Sequence, residues 1–109
     1  MPLLANDKPY RAEVSATAGN FSSPIILPGW AHEFTITALP GGGGSASVFH
    51  TTDDPDSVED DPANANWIEW DPGSVSVNTS QSLAGQVTGL RIQAVTADAT
   101  LQVCGNRRL

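Results

Sequence analysis

Segment 52–61 places six carboxylate side chains within ten residues of the chain. They are Asp53, Asp54, Asp56, Glu59, Asp60 and Asp61. Calcium takes about six to eight oxygen ligands, which makes this segment the first candidate for a metal site. However, it lacks the glycine that an EF-hand loop needs at its sharp turn, and Pro55 and Pro62 interrupt it. We therefore favour an acidic contact loop, either solvated or docked on a basic partner surface, over a calcium site.

Two histidines, His32 and His50, are the next candidates for chemistry. As a metal pair they lack an evident third ligand, and as general bases they lack a nucleophile in a recognised setting. The chain has no Gly-x-Ser-x-Gly elbow, phosphate loop, zinc motif or Cys/His pairing. We therefore predict that the protein is not an enzyme and that it holds no cofactor and no metal.

Three tryptophans are candidate interface residues, because Trp is enriched at the energetic hot spots of protein interfaces. In an extended strand Trp67 and Trp70 point to opposite faces, so we predict that one packs in the core while the other reaches out. Trp30 follows a Leu-Pro-Gly turn and is the third candidate. Exposed aromatic residues could instead stack on sugars, but the sequence shows no companion cluster of exposed aromatics and amides.

The charge balance excludes one class of partner. The chain has 12 acidic and 5 basic residues, a net charge of −7, and Lys8 is its one lysine. No basic face for phosphate groups can be assembled, so we expect no nucleic-acid partner. We also expect no membrane partner, because no stretch approaches the roughly 18 apolar residues of a membrane span. A single cysteine, Cys104, and the absence of a signal-peptide pattern favour folding in a cytoplasm without disulfides.

The elements that must position these residues are strands. Apolar residues alternate with polar ones over short runs separated by Gly, Pro, Asn and Asp, and helix-period segments are missing. This pattern predicts an all-β fold, an antiparallel β-sandwich or jelly roll of about seven to eight short strands. The predicted strands are 11–17, 24–27, 31–39, 45–51, 67–70, 74–78, 87–95 and 100–104. Alternation places one set of residues on the face that packs and the other on the opposite face. The first set is His32, Phe34, Ile36 and Ala38 in 31–39, Ala46, Val48 and His50 in 45–51, and Leu90, Ile92 and Ala94 in 87–95, while Ser47 and Phe49 lie opposite.

Two hairpins and one helical turn complete this prediction. We expect 31–39 to pair with 45–51 across a flexible glycine loop, and 87–95 to pair with 100–104. Asp54 suits the N-cap and Pro55 the first position of a short helical turn near 54–60.

The chain is predicted to form one domain with two extensions. A single β-sandwich domain at 12–105 lies between an extended N-terminal arm over 1–11 and a C-terminal tail over 106–109. Leu, Ile, Val and Phe together number only 24 of the 109 residues, so we expect neighbouring molecules to complete the burial of apolar surface. The residues of the extensions that we expect in interfaces are Leu3, Leu4, Arg107 and Arg108.

Four segments between residues 30 and 103 carry a resemblance to a known family. Their sequences are ALPGGGG at 38–44, TTDDP at 51–55, WIEWDPG at 67–73 and SLAGQVTGLR at 82–91. In this order and spacing the chain resembles small virion proteins of tailed bacteriophages, of the capsid decoration or cement type. Such proteins are β-rich modules on the outside of the shell that bridge neighbouring capsid subunits, commonly as trimers.

This resemblance implies a non-enzymatic structural protein of the virion. Its partners would be the major capsid protein and, in a homotrimer, further copies of itself. The protein would be made in the host cytoplasm and reside on the capsid surface. The alternative is a receptor- or carbohydrate-binding module of a phage fibre or tail, because related sandwiches occur in those parts as well.

Overall fold

The computed structural model of the chain describes residues 9–83 and 87–107, which form eight strands, a short α-helix and a 3-10 turn. In chain order the elements are β1 (Tyr10–Ala16), β2 (Ile25–Ile26), β3 (Ala31–Pro40), β4 (Ala46–Thr51), α1 (Pro55–Asp60), the 3-10 turn (Pro62–Asn64), β5 (Ile68–Glu69), β6 (Thr79–Leu83), β7 (Gly89–Ala94) and β8 (Ala99–Arg107).

The two extensions fall mostly outside the described part of the chain. β1 begins at Tyr10, inside the predicted arm over 1–11, and β8 continues to Arg107, inside the predicted tail over 106–109. Four of the predicted interface side chains lie outside what the structure describes. They are those of Leu3, Leu4, Arg107 and Arg108. Their role in contacts stays a prediction.

The strands form two four-stranded antiparallel sheets. The β1 sheet has the order β1-β8-β3-β6, and the β2 sheet has the order β2-β7-β4-β5. Each strand of the first half of the chain therefore pairs with its counterpart counted from the other end: β1 with β8, β2 with β7, β3 with β6 and β4 with β5. This nested pairing is a jelly roll. The prediction of an all-β sandwich or jelly roll is confirmed.

Both predicted hairpins are wrong. β3 and β4 belong to different sheets, and so do β7 and β8. Within the described chain, β4 and β5 are the one pair of consecutive strands that are hydrogen-bonded neighbours. The error has a physical cause. Alternation shows which side of a strand faces the core, but it does not show to which of the two sheets the strand belongs.

The glycine run 41–44 crosses between the sheets instead of closing a hairpin, and Gly41 and Gly44 at its two ends are closely packed. It packs against the loop that joins β7 to β8 at the same end of the sandwich. A Cβ atom added at Gly44 would lie 2.7 Å from Cβ of Ala97 and 2.9 Å from its backbone nitrogen. The N–H of Gly41 donates to the carbonyl of Asp98 at 2.8 Å. The two crossing loops therefore need small residues where they meet.

The core lies between the inner faces of the two sheets. The largest strand residues with almost no exposed surface are Ile36, Leu101 and Val103 from the β1 sheet and Val48, Leu90 and Ile92 from the β2 sheet. The alternation predicted for β3 holds at Phe34, which is buried, but fails at His32, which is half-buried. A β-bulge between His32 and Thr35, with Glu33 at φ 54°, shifts the phase so that Ala31 is buried instead.

The helical turn predicted near 54–60 is confirmed as α1. Asp54 is its N-cap, and its carboxylate accepts a hydrogen bond from the backbone N–H of Ser57 at 3.2 Å. Among the helices of the described residues, none has the length and apolar character that crossing a membrane requires.

One predicted strand is displaced. Segment 74–78 forms only an isolated bridge, from Val75 to β4, and β6 follows it. Hydroxyl and amide side chains dominate β6, so the apolar alternation that would have marked it is weak.

Candidate protein-interaction surface

The outer face of the β2 sheet carries an arginine surrounded by aromatic rings. The neighbours of Arg91 on β7 point into the core, so Arg91 points outward, and Phe49 lies opposite it on β4. Phe21 and Trp67 reach the same place from the loops that precede β2 and β5. We name Phe21, Phe49, Trp67 and Arg91 the Arg91 cluster.

The guanidinium of Arg91 lies over two of these rings. Its Cζ atom is 3.8 Å from the ring centroid of Phe21 and 4.4 Å from that of Trp67. Phe21 and Phe49 meet edge to face with their centroids 5.7 Å apart. A cation–π contact contributes about 0.5–2 kcal/mol, more as the pair is desolvated. Arg91 thus joins two separate loops to the face of the sheet.

The connection between β4 and β5 is fixed on this face by side-chain hydrogen bonds. The backbone N–H of Asn66 donates to the carboxylate of Asp53 at 2.7 Å. The indole N–H of Trp67 donates to the carbonyl of Pro62 at 2.7 Å. Trp67 is therefore held in position by hydrogen bonds within the chain itself.

α1 covers the sheet beside the Arg91 cluster. Val58 of α1 is fully buried and packs over Gly89, where an added Cβ would lie 3.3 Å from its Cγ1 atom. Gly89 and Arg91 both point outward from β7, so α1 borders the cluster. Five of the six predicted contact-loop acids are exposed, and Asp53 is half-buried. The five are Asp54, Asp56, Glu59, Asp60 and Asp61.

In the described chain no group of three or more His, Cys, Asp or Glu side chains is placed to hold a metal ion. The acidic segment is instead organised by the capping of α1 and by Asn66, and five of its carboxylates are exposed. Whether these carboxylates contact a partner stays a prediction.

Arg91 has no counter-ion among the residues that the structure describes. Its Nε atom is buried without a hydrogen-bond partner, and no described carboxylate lies within 4.0 Å of its guanidinium. Glu69 shares its cross-strand row but lies beyond Phe49, and it accepts a hydrogen bond from the hydroxyl of Ser47 at 2.5 Å. Partial burial lowers the pKa of Arg91 from its ordinary value, because desolvation disfavours the charged form.

Trp70 is not available as an interface residue, contrary to our prediction. It is only 4% exposed, and its indole N–H donates to the carbonyl of Gly73 at 2.6 Å. It fills the core beside β4, since its backbone N–H donates to the carbonyl of Val48. The expectation that one member of the pair packs inside is confirmed for Trp70, while Trp67 is half-buried on the outer face.

Trp30 is 42% exposed and lies apart from the Arg91 cluster. It precedes β3 in the β1 sheet and meets Tyr10 edge to face with ring centroids 5.6 Å apart. Burial raises the pKa of Tyr10 above its ordinary value. The structure therefore places Trp30 and Trp67 on opposite sheets, so they do not form one surface.

A second feature is the open side of the sandwich between the β5 and β6 edges. Ile68 and Val77 are 58% and 69% exposed there. A shallow groove beside β6 is lined by Trp70, Leu83 and His50, whose Nδ1 atom is buried without a partner in the described chain. His32 belongs to the other sheet, so the two histidines do not form a pair.

Sequence reasoning did not identify Phe21, Phe49 and Arg91 as site residues. Alternation in 45–51 did place Phe49 on the side opposite to the core, and the same reasoning puts Arg91 outward in 87–95. The missing signal was that β4 and β7 are neighbours, which brings these two outward positions into one row.

Comparisons with models of protein families, with curated protein sequences and with solved structures find no match to this chain. Its function is therefore argued from the fold and from the surfaces described above.

Proposed function

We propose that this protein is a non-enzymatic capsid decoration protein that binds the outer surface of a phage shell and bridges its subunits. The observation that carries the proposal is the Arg91 cluster, a partly exposed group of Phe, Trp and Arg side chains on one sheet face. These residue types are enriched at the centres of protein interfaces.

The fold supports this proposal at a coarser level. Eight-stranded jelly rolls are common in viral capsid domains and in lectins, and a fold by itself does not imply a function. The proposal therefore rests on the surface residues of the Arg91 cluster. A protein made in the host cytoplasm and placed on the capsid surface fits a chain with one cysteine.

Charge supports the choice of a protein partner with a basic surface. The net charge is −7, and five exposed carboxylates lie on α1 and its two caps, next to the Arg91 cluster. Such a face steers a basic partner into contact and is repelled by nucleic acid. The proposed partner is the major capsid protein.

Copies of the chain are proposed to associate as a homotrimer, which lets several weak contacts to the shell act together. The edge of β6 supports this part of the proposal. Its five residues, Thr79–Leu83, include no charge and no proline, while β1 carries Arg11 and Glu13 and the other two edge strands are two residues long. An uncharged open edge is suited to pairing with a strand of another copy.

Co-sedimentation with expanded shells tests the proposal. The purified chain is expected to bind in stoichiometric amounts and to raise the melting temperature of the shells. Phe21→Ala should weaken binding, while Val77→Ala, which truncates an exposed apolar residue in the loop before β6 of the other sheet, should not. A chain that stays in the supernatant with expanded shells would refute the proposal.

A second candidate is a receptor- or carbohydrate-binding module of a fibre or tail. The observation in its favour is that the fold assembles the companion aromatics that the sequence did not reveal, Phe21 and Phe49 beside Trp67. Glycan binding that is lost in Trp67→Ala, together with no affinity for shells, would favour this candidate.

A further inference from the structure

The guanidinium of Arg91 has hydrogen-bonding capacity that the described chain does not use. Arginine carries five N–H donors in one plane and no acceptor. The contacts to Phe21 and Trp67 are made to ring faces, so they satisfy none of these donors with a conventional acceptor. The Nε atom is already shielded from solvent without a hydrogen-bond partner. Burying part of a cation whose N–H donors have no acceptor costs free energy, and an anion that pairs with it offsets that cost.

The nearby carboxylates of the described chain do not supply that anion. Glu69 lies two strands away in the same row, roughly 9–10 Å at ordinary strand spacing, and is engaged by Ser47. Asp53 is engaged by Asn66. The Arg91 guanidinium therefore has aromatic neighbours but no carboxylate partner among the described residues.

The chemistry of the missing group follows from the shape of the guanidinium. Its planar fork matches the two oxygens of a carboxylate, and the surrounding rings lower the local dielectric and strengthen such a pair. A protein side chain fits better than an acidic sugar. The indole N–H of Trp67 already donates to Pro62, and one face of each of the Phe21 and Trp67 rings is occupied by the guanidinium, which leaves less ring surface for a sugar.

We propose that Arg91 receives a single Asp or Glu side chain of the protein that covers this face, with Phe21 and Trp67 forming the wall of the pocket. The identification of that protein as a shell subunit rests on the proposed function; the carboxylate chemistry does not. Because exposed acids lie on the adjacent α1 and its caps, the complementary patch on the partner is basic around one central carboxylate.

A titration in solution tests the carboxylate inference without any shell. The probe is a blocked Gly-Asp-Gly tripeptide, with blocked Gly-Asn-Gly as the neutral control at the same ionic strength, followed through the Arg91 side-chain Nε–H resonance. We expect a saturable shift with the aspartate peptide and none with the asparagine peptide. Equal responses to both peptides, or no saturable response, would overturn the inference. A response to galacturonate or inorganic phosphate at lower concentration would overturn the choice of a protein carboxylate.

Shell binding then separates this inference from the proposed function. Arg91→Met and Arg91→Lys are each expected to raise the dissociation constant for shells by about tenfold or more. Arg11→Met removes the same charge from the other sheet and should leave it within about twofold of the unmodified chain. The lysine variant keeps the charge, so its defect would reflect the lost fork, and thermal melts establish that each variant is folded.

The outcomes are distinguishable. If shells bind Arg91→Met as tightly as the unmodified chain, the inference fails while the proposed function stands. If the tripeptide binds and shells do not, the proposed function fails while the inference stands.

Discussion

Replacing Gly44 by alanine tests the packing of the two crossing loops. The added Cβ would lie 2.7 Å from Cβ of Ala97 and 2.9 Å from its backbone nitrogen. Ordinary carbon–carbon contacts are about 3.5–4.0 Å, so one loop must move by roughly 1 Å. The backbone on both sides is held, since the N–H of Gly44 donates to Gly41 and that of Gly41 to Asp98. Overpacking of this kind costs about 1–3 kcal/mol.

Gly42→Ala is the matched control. Nothing lies within 4 Å of the Cβ position at Gly42. This substitution should therefore be neutral, or stabilise by a few tenths of a kcal/mol up to about 1 kcal/mol, because alanine restricts the unfolded chain. The two variants differ only in position within one run of glycines.

Chemical denaturation of the two variants measures the difference in the free energy of unfolding. The midpoint for Gly44→Ala should fall with little change in the slope m, and the melting temperature should drop by roughly 4–12 °C. Adding Ala97→Gly should recover part of the loss, because it removes the closest contact. Equal stability of the Gly44 and Gly42 variants would mean that the run is a flexible loop, as in a hairpin, and would refute the close approach.

Three further outcomes are expected. Trp70→Ala should cost about 3–5 kcal/mol in unfolding free energy, because it empties a core site that is only 4% exposed, and a loss below about 1 kcal/mol would contradict that placement. Ser82→Lys should turn the proposed trimer into monomer in light scattering without lowering the melting temperature, because lysine blocks an edge strand; Thr96→Lys, in an exposed loop, should not. Tyr10 has its pKa raised by burial, so its contribution to stability is fully present below the ordinary value of 10.0 and is lost as pH rises through the folded-state pKa. As the one tyrosine in the chain, it can be followed by tyrosinate absorbance, and a folded-state midpoint at or below that of the unfolded chain would contradict the burial.

Local pattern predicted the elements better than their partners. Asp54 as the N-cap of α1 and the inward position of Val48 on β4 follow from spacing within a few residues, and the structure has both. His32 was misplaced because a β-bulge changes the phase of a strand without changing its composition. Pairing across the glycine run failed because hairpins are the commonest link between successive strands, and a jelly roll uses crossings between sheets instead.

The two tryptophans Trp67 and Trp70 also show that a pattern within a few residues does not reveal how distant strands pair. Alternation placed Trp67 and Trp70 on opposite faces, yet which face is the core depends on where β5 lies in its sheet. β5 pairs with β4 at the sheet edge, and this pairing turns Trp70 inward against the backbone of Val48. No pattern within 67–70 carries that information.

The Arg91 cluster depends on the same topology as the glycine loops. β7 lies between β2 and β4, so Arg91 has Phe49 on one side and the loop that ends in β2, with Phe21, on the other. In the hairpin arrangement expected from the sequence, Phe49 would face residues of β3 and the cluster would not form. The stability of Gly44→Ala relative to Gly42→Ala therefore bears on the site as well as on the fold. If the crossing loops do not pack, the topology that sets β4 beside β7, and with it the Arg91 cluster, loses the support that the contact at Gly44 gives it.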